Sequence, residues 1–327
     1  MQGAPEDKIL AAITAHWLAR CVHVIAEARI ADHLGAGADA VEMLAAKAGV
    51  DADALDRIMR YLVSSGIFTA APAGYANNEA SELLRSDEPG SMWAYACMIG
   101  STWQWESLGA LSHTLATGET GMSHVFGVDS FAYLADHPSD QAMFDAAMQS
   151  RSHRDLAAVV EAGDFSLFPV IADIGGGNGS LLRAVLDAAS RSQGILFDQA
   201  HVVNSAPAHS RIVPVGGDFF VDALPAANLY VLRRVIHDWG DEAALQILAA
   251  IRAAAAPGAR LTLIETPLPE GPQIHPGKAL DIVMLAVVGG RERTVAEYRS
   301  LMKSTGFRFV GVREATSGTA LIEGEAE

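Results

Sequence analysis

Three acids stand just past short apolar runs, two of them close to glycines. Asp173 leads into Ile174-Gly175-Gly176-Gly177-Asn178-Gly179-Ser180, Asp198 follows 25 residues later, and Asp218 lies in Gly217-Asp218-Phe219-Phe220. Glycine lets a backbone turn sharply and come close to a ligand that a Cβ would exclude. A dinucleotide fingerprint would place Gly or Ala where Ser180 stands, so the spacing is G-x-G-x-G with an acid two residues ahead. That form is less suited to a pyrophosphate and fits a ligand with little phosphate. Asp198 is placed to accept both hydroxyls of a ribose. Asp218 and its aromatic neighbours could hydrogen-bond and stack on a purine. Each acid alone reads equally as a turn or helix cap; three in succession weaken that reading.

Such chemistry needs a scaffold that brings successive loops to one edge. After Phe168-Pro169 the chain alternates. VIADI, GILFD, RIVPVG, NLYVLRR and RLTLIET read as strands, SLLRAVLDAA and EAALQILAAIRAAA as helices, and FRFVGVREA and TALIEGE as two closing strands. This predicts an α/β domain with a doubly wound, mostly parallel sheet of seven strands, its ligands beyond the C-terminal strand ends.

The first half reads differently. Residues 8–34 read as one helix, apolar on several sides, as in a helix buried between neighbours or subunits. Two short helices and a Gly-centred hairpin follow, in the winged-helix order. On the second helix Asp51, Asp53 and Asp56 outnumber Arg57 and Arg60, which argues against duplex nucleic acid as a partner. Residues 90–160 read as helical and rich in Trp and Met. A cut near 150 predicts domains 1–150 and 151–327.

Composition narrows the class. The 327 residues are 50% hydrophobic and 19% charged, enough apolar surface to offset the entropy of ordering and to exclude a disordered chain. The net charge is −16, with 7 basic and 19 acidic residues in 1–150, unsuited to nucleic acid or anionic membrane surfaces. Cys21 and Cys97 lack metal or redox spacing and read as reduced, packed thiols. The opening MQGAPEDK lacks a signal-peptide pattern, and Ala-rich runs such as AAIRAAAAPG break too early to span a bilayer. A soluble cytoplasmic protein is expected.

The segments DIGGGNG, ILFD, GDFF, RRVIHDW, IETPLPEG, DIVML and GGRERT occur in the order found in the S-adenosylmethionine-dependent O-methyltransferases of the plant caffeate and bacterial polyketide type. The chain resembles that family along its whole length. The resemblance implies a Rossmann-like catalytic domain behind a helical, winged-helix dimerisation domain, and a homodimer whose subunits close each other's pockets. It implies S-adenosylmethionine as cofactor, S-adenosylhomocysteine as product, no metal, and a hydroxylated aromatic or polyketide-like small molecule as acceptor. Asp173, Gly175 and Gly177 would line the methionine and ribose, Asp198 would take the ribose hydroxyls, and Gly217, Asp218 and Phe219 would meet the adenine. Arg233 matches a basic residue near the cofactor, and Asn178 stands where many members have His.

The resemblance also implies a catalytic set: His237 takes the proton from the acceptor hydroxyl while Glu265 and Glu292 hold its ring. A phenol with pKa ~10 must lose its proton as it attacks, and imidazole, pKa ~6.5, is suited to accept it. A carboxylate on one ring nitrogen leaves the other free and stabilises the imidazolium. Asp238 and Trp239 read as pocket residues or as a helix start and core packing. Trp103, Met148 and Met284 are acceptor-pocket candidates. The plant members' Asn after DIVML is replaced by Ala286-Val287-Val288-Gly289, which implies a more apolar pocket. The remaining histidines show no metal-ligand spacing with acids. The alternative is a relative that keeps the cofactor but hydroxylates, decarboxylates or rearranges its substrate.

Overall fold

The computed structural model describes residues 4–88, 90–316 and 318–327; Met1–Gly3 of the opening segment lie outside it. Two compact units form: Met1–Glu106 with Phe131–His153, and Ser107–Ser130 with Arg154–Glu327. The division is therefore not a single cut near 150. Residues 107–130 group with the second unit because helices Leu111–Thr117 and Gly121–Phe126 pack against residues 284–288.

The second unit carries the seven-stranded sheet. Its strands are β1 (Val170–Ile174), β2 (Gln193–Asp198), β3 (Ile212–Gly216), β4 (Leu229–Arg233), β5 (Arg260–Glu265), β6 (Phe307–Thr316) and β7 (Thr319–Ala326). The spatial order is β3-β2-β1-β4-β5-β7-β6. The five strands β1 to β5 pair in parallel, and β7 is inserted antiparallel between β5 and β6. Strands covered on both faces read as continuous apolar runs; in β4 and β5 Leu229, Tyr230, Val231, Leu232, Leu261, Leu263 and Ile264 are all buried. One layer packs on helix Asp241–Ala254 through Ile247, Leu248 and Ile251, and another on helix Ser180–Ala188 through Leu181, Leu182 and Val185. The mostly parallel, doubly wound expectation holds.

Order reversal between β1 and β4 places the ends of β3, β2 and β1 side by side. It sets the loop after β4 on the other side of the switch point, where open α/β sheets bind ligands.

The first unit has the winged-helix order: helices Val41–Ala48 and Ala52–Ser64 and a three-stranded antiparallel sheet of Ala38–Asp39, Thr69–Ala71 and Gly74–Ala76. Asp51 caps the second helix by accepting from the Ala54 N–H at 2.8 Å, as its residue type favours. The expected single helix over 8–34 is two, Pro5–Glu27 and Ile30–Leu34. Arg29 takes a left-handed conformation (φ 53°) between them, and the Trp93 indole N–H binds the Ala26 carbonyl at 2.9 Å.

Helix Pro5–Glu27 is the long apolar helix of the first unit. It contains an 18-residue window of mean hydropathy 1.6, by length and composition enough to cross a membrane. Only 17% of that window is buried, and Ile9, Leu10, Ile13 and Trp17 are each more than half exposed.

Candidate active site

The glycine turn is built on the end of β2. Gly175 donates its N–H to the Phe197 carbonyl at 2.8 Å, and Gly177 donates to Asp198 Oδ2 at 2.8 Å. Gly175 and Gly177 take φ of 68° and 57°, which side-chain-bearing residues rarely adopt. A Cβ on Gly175 would meet Val235 at 2.8 Å, whereas one on Gly177 would meet nothing within 4 Å. The turn thus packs tightly on one side and faces open space on the other.

Asp173 lies at the end of β1, 1% exposed, and neither of its carboxylate oxygens makes a well-formed hydrogen bond among the described residues, the Leu182 N–H being only a weak backbone neighbour. Burial pushes its carboxyl up to about 7, with Arg233 pulling the other way. An unpartnered buried carboxylate is costly and marks a place where a donor or cation belongs. Asp198 also accepts from the Gln199 N–H at 2.7 Å. Gly217 joins this edge through its N–H to the Asp198 carbonyl at 3.0 Å. Asp218 does cap a local turn, accepting from the Phe220 N–H at 2.9 Å.

Phe219 and Phe220 meet Trp239 edge-on, at centroid separations of 5.9 and 4.7 Å. The structure thus places Trp239 with the aromatic residues after β3.

Arg233, 7% exposed in its side chain, pairs with the buried Asp155. Arg234, at φ 53°, binds the other Asp155 oxygen at 3.0 Å, and Thr319 donates to that oxygen too. Nothing in the spacing of Asp155 distinguished it from other helical acids; only folding brings it to the end of β4.

His237 stands on a short 3-10 turn, Ile236–Asp238, after β4 and is buried. Its Nδ1 lies 2.7 Å from Glu292 Oε1, and its Nε2 lies 3.3 Å from Asp238 Oδ1. Nδ1 therefore donates to Glu292, and Nε2 faces the Asp238 carboxylate. Glu265 departs from the implied role. Its Oε1 accepts from the Ile236 backbone N–H at 3.1 Å, so it holds the peptide ahead of the histidine and not the ring. Burial alone would lower the His237 pKa. The charges of Asp238, Glu265 and Glu292 overcome it and raise the imidazole to about 10. Burial pushes Asp238 up to about 6 and Glu265 to about 7. The four groups form one coupled cluster, with the imidazolium as the counter-charge to its carboxylates.

Residues 289–294 complete this end. Arg291 donates its N–H to the His237 carbonyl at 2.8 Å, and Glu292 donates its own to Asp281 Oδ1 at 2.8 Å. The Arg293 side chain, 1% exposed, reaches the loop after β4 as well. Asp281 and Arg293 lie inside the segments DIVML and GGRERT, where the motif was visible and the individual roles were not.

Met284 is buried where helix Pro276–Val283 gives way to one π-helical stretch, Met284–Val288, with Ala286 and Val287 buried beside it. Such π turns are rare and often sit at functional sites. In the first unit Trp103 is buried and tilted against Tyr133 at 6.1 Å, and Met148 is half-buried.

The expectation that no histidine pairs with acids in a metal-ligand pattern needs correcting. His113, Glu119 and His124 bring ligand atoms within 4.8 Å of one another, the two rings stacked at 3.7 Å. His113 Nε2 is already 2.7 Å from Glu119, and none of the three belongs to the His237 cluster. The turn at Gly118 folds one helix back on the next, which the linear spacing does not reveal.

Residues 105–308 match the O-methyltransferase domain family and residues 10–87 the O-methyltransferase dimerisation domain family. The chain is 36% identical to the phenazine O-methyltransferase of Lysobacter antibioticus, over 96% of this chain and 94% of that one. It is 35% identical to the 3-amino-4-hydroxybenzoate 4-O-methyltransferase of Streptomyces cremeus, over 98% and 91%. Among solved structures, an O-methyltransferase from neocarzinostatin biosynthesis, in complex with S-adenosylmethionine and 2-hydroxy-5-methyl naphthoic acid, superposes with a TM-score of 0.82 at 30% identity, covering 94% of this chain and 96% of that one. The chain is a methyltransferase and belongs to the O-methyltransferase family whose members carry an N-terminal dimerisation domain.

Proposed function

We propose that this enzyme transfers the methyl group of S-adenosylmethionine to a hydroxyl, phenolic in character, of an aromatic or polyketide-like small molecule. The observation that carries the reading is the His237–Glu292 pair beside the glycine turn of β1. One carboxylate fixes Nδ1 of the imidazole, and on this reading Nε2, 3.3 Å from Asp238 Oδ1, is the nitrogen that serves the acceptor.

The residues at the cofactor end fit the group. The unpartnered Asp173 carboxylate suits a cationic or N–H-bearing portion, and Asp198 suits two hydroxyls. Phe219 suits the face of a purine, with Asp218 and Gly217 at its edge and Arg233 close to Asp173. When bound, S-adenosylmethionine supplies an electrophilic sulfonium methyl. His237 Nε2 accepts the hydroxyl proton as the oxygen–carbon bond forms, giving a methyl ether, S-adenosylhomocysteine and an imidazolium. Glu292 stabilises that imidazolium through Nδ1, and Glu265 keeps the peptide of Ile236 in place. Because its carboxylate neighbours hold a proton on His237, the base has to be neutral before it can act. A cation placed among those carboxylates favours the neutral form.

Met284 is assigned to the acceptor pocket, with Asp238 able to accept from a donor group next to the reacting hydroxyl. Trp239 is assigned instead to the aromatic wall on the cofactor side. The reading includes a homodimer: the exposed Leu10, Ile13 and Trp17 lie within the segment matched by the dimerisation family, and a second copy would cover them.

Incubation with labelled S-adenosylmethionine and a panel of hydroxylated aromatics tests this. A mass gain of one methylene on oxygen is expected. A gain of oxygen or loss of carboxyl would instead identify a cofactor-retaining relative with different chemistry. Methylation on nitrogen is the other outcome to separate, since a phenazine-1-carboxylate N-methyltransferase of Pseudomonas aeruginosa is 30% identical over 98% of this chain and 97% of that one. A single 34 kDa species in light scattering would refute the dimer.

A further inference from the structure

The loop that carries His237 has little to hold it in shape by itself. It is one 3-10 turn with two long internal hydrogen bonds, Asp238 N–H to the Val235 carbonyl at 3.1 Å and Trp239 N–H to the Ile236 carbonyl at 3.3 Å. Such turns have poor hydrogen-bond geometry and are easily reshaped. Asp238 also stands 3.3 Å from Nε2, a charge that would draw the ring away from the acceptor if the turn were free.

Residues 289–294 supply what the turn lacks. Arg293 Nη1 donates to the Ile236 carbonyl at 3.0 Å and Nη2 to the Trp239 carbonyl at 2.8 Å. These two carbonyls bracket His237 and Asp238. The same guanidinium is anchored on Asp241 Oδ1 through Nε at 3.0 Å and Nη2 at 2.8 Å. Only a planar fork of several donors can reach two carbonyls and a carboxylate at once, which a lysine ammonium on a flexible stem does not reproduce. Gly290 contributes by having no side chain: a Cβ there would stand 2.0 Å from the His237 carbonyl oxygen and 2.5 Å from the Asp238 carbonyl carbon. That contact involves backbone on both sides, so the loop would have to move.

We propose that Arg293 and Gly290 are positioning residues for the methyl transfer, setting the place of His237 through the backbone of residues 236–239 while Glu292 sets its ring. The proposal rests on His237 as the base. Neither residue need touch the acceptor or the cofactor. Their effect belongs to the step in which Nε2 must lie within hydrogen-bond reach of the hydroxyl, and a displacement of ~1 Å at such a site can cost ~10²-fold in rate.

The test uses full-length Arg293→Met, Arg293→Lys and Gly290→Ala. It compares kcat, cofactor Kd, melting temperature and the NMR signal of the His237 Nδ1 proton shared with Glu292. Arg293→Met and Gly290→Ala are expected to lose ~10²-fold in kcat with cofactor Kd within about threefold of wild type, and to shift or lose the ring-proton signal. Arg293→Lys, which restores charge but not the fork, should recover part of kcat. If Arg293→Met fails to fold, Gly290→Ala carries the test, since it removes no interaction. Unchanged kcat and ring signal in Gly290→Ala overturn the proposal; so does a loss of kcat matched by an equal loss of cofactor affinity. Failure of the base itself reads differently. His237→Ala would then keep the wild-type rate, while the ring signal would still report whether residues 290 and 293 place the histidine.

Discussion

The two sides of the switch point of one sheet are built on opposite plans. Beyond β1, β2 and β3 the chain offers bare backbone, positive-φ glycines and a buried Asp173 whose oxygens make no well-formed hydrogen bond among the described residues. Beyond β4 the loop of His237 is held from several directions, by Glu292 on the ring, Glu265 on the Ile236 N–H, Arg293 on the Ile236 carbonyl and the Arg291 N–H on the His237 carbonyl, although Glu265 and Glu292 each keep one buried oxygen without a partner among the described residues. The first side leaves interactions for a ligand to complete. On the proposed function the second is preorganised, so that the proton acceptor need not be rearranged as charge develops. A binding site tolerates local cost where the ligand repays it, whereas a general base needs its geometry before the substrate arrives.

The strongest way to break that contrast is to remove the base. His237→Ala should lower kcat by ~10²–10⁴-fold while leaving cofactor affinity within about threefold, measured by methyl transfer and by calorimetry. Equal losses in both would mean that the two sides are not separable. Asp198→Ala should give the converse, a cofactor Kd weakened ~10–100-fold, as for lost hydrogen bonds to a charged group, with kcat at saturation nearly kept.

Glu292→Gln sharpens the comparison through pH. Since the neighbouring carboxylates raise His237 to about 10, kcat/KM of the wild type should climb as pH rises above neutrality. The variant loses one of those charges, so its rising limb should move to lower pH although kcat falls. A flat profile in both would exclude His237 as the titrating base.

Asp173→Asn gives the smallest and most informative shift. A carboxyl raised from 3.8 to about 7 by burial binds its proton more tightly in the folded state. Its contribution to stability is complete below about pH 4 and is lost as pH rises through about 7. The variant should therefore melt with a flatter pH dependence across that window, and at pH 8 without cofactor it should be at least as stable as wild type. The same change should weaken cofactor binding. Thermal melts from pH 4 to 8, with and without S-adenosylhomocysteine, check both signs.

How much was legible in the sequence differs between the two sides for a physical reason. Glycine turns and strand-end acids are local: Asp173, Gly175, Gly177, Asp198 and Asp218 announce themselves by residue type within a few positions of a β pattern. The alternation of strands and helices likewise predicted the sheet, because period and punctuation are local properties. The helix break at Arg29 is not purely local, since the Ala26 carbonyl binds both the Arg29 N–H and the indole N–H of Trp93, distant in sequence. Asp155 escaped notice because its partners at 233, 234 and 319 are assembled only by folding.

By itself, then, the sequence determined the class of fold, the family and the identity of the residues that carry charge to the strand ends. Tertiary structure alone decided which atom each of them holds: Glu265 on a peptide N–H and not on the imidazole, Trp239 beside Phe219 and Phe220, and Arg293 across two carbonyls of the base's own loop. Residue type constrains what a side chain can donate or accept. The partner is fixed by distance, and distances between positions 55 or more residues apart, as between His237 and Glu292, exist only once the sheet has closed around them.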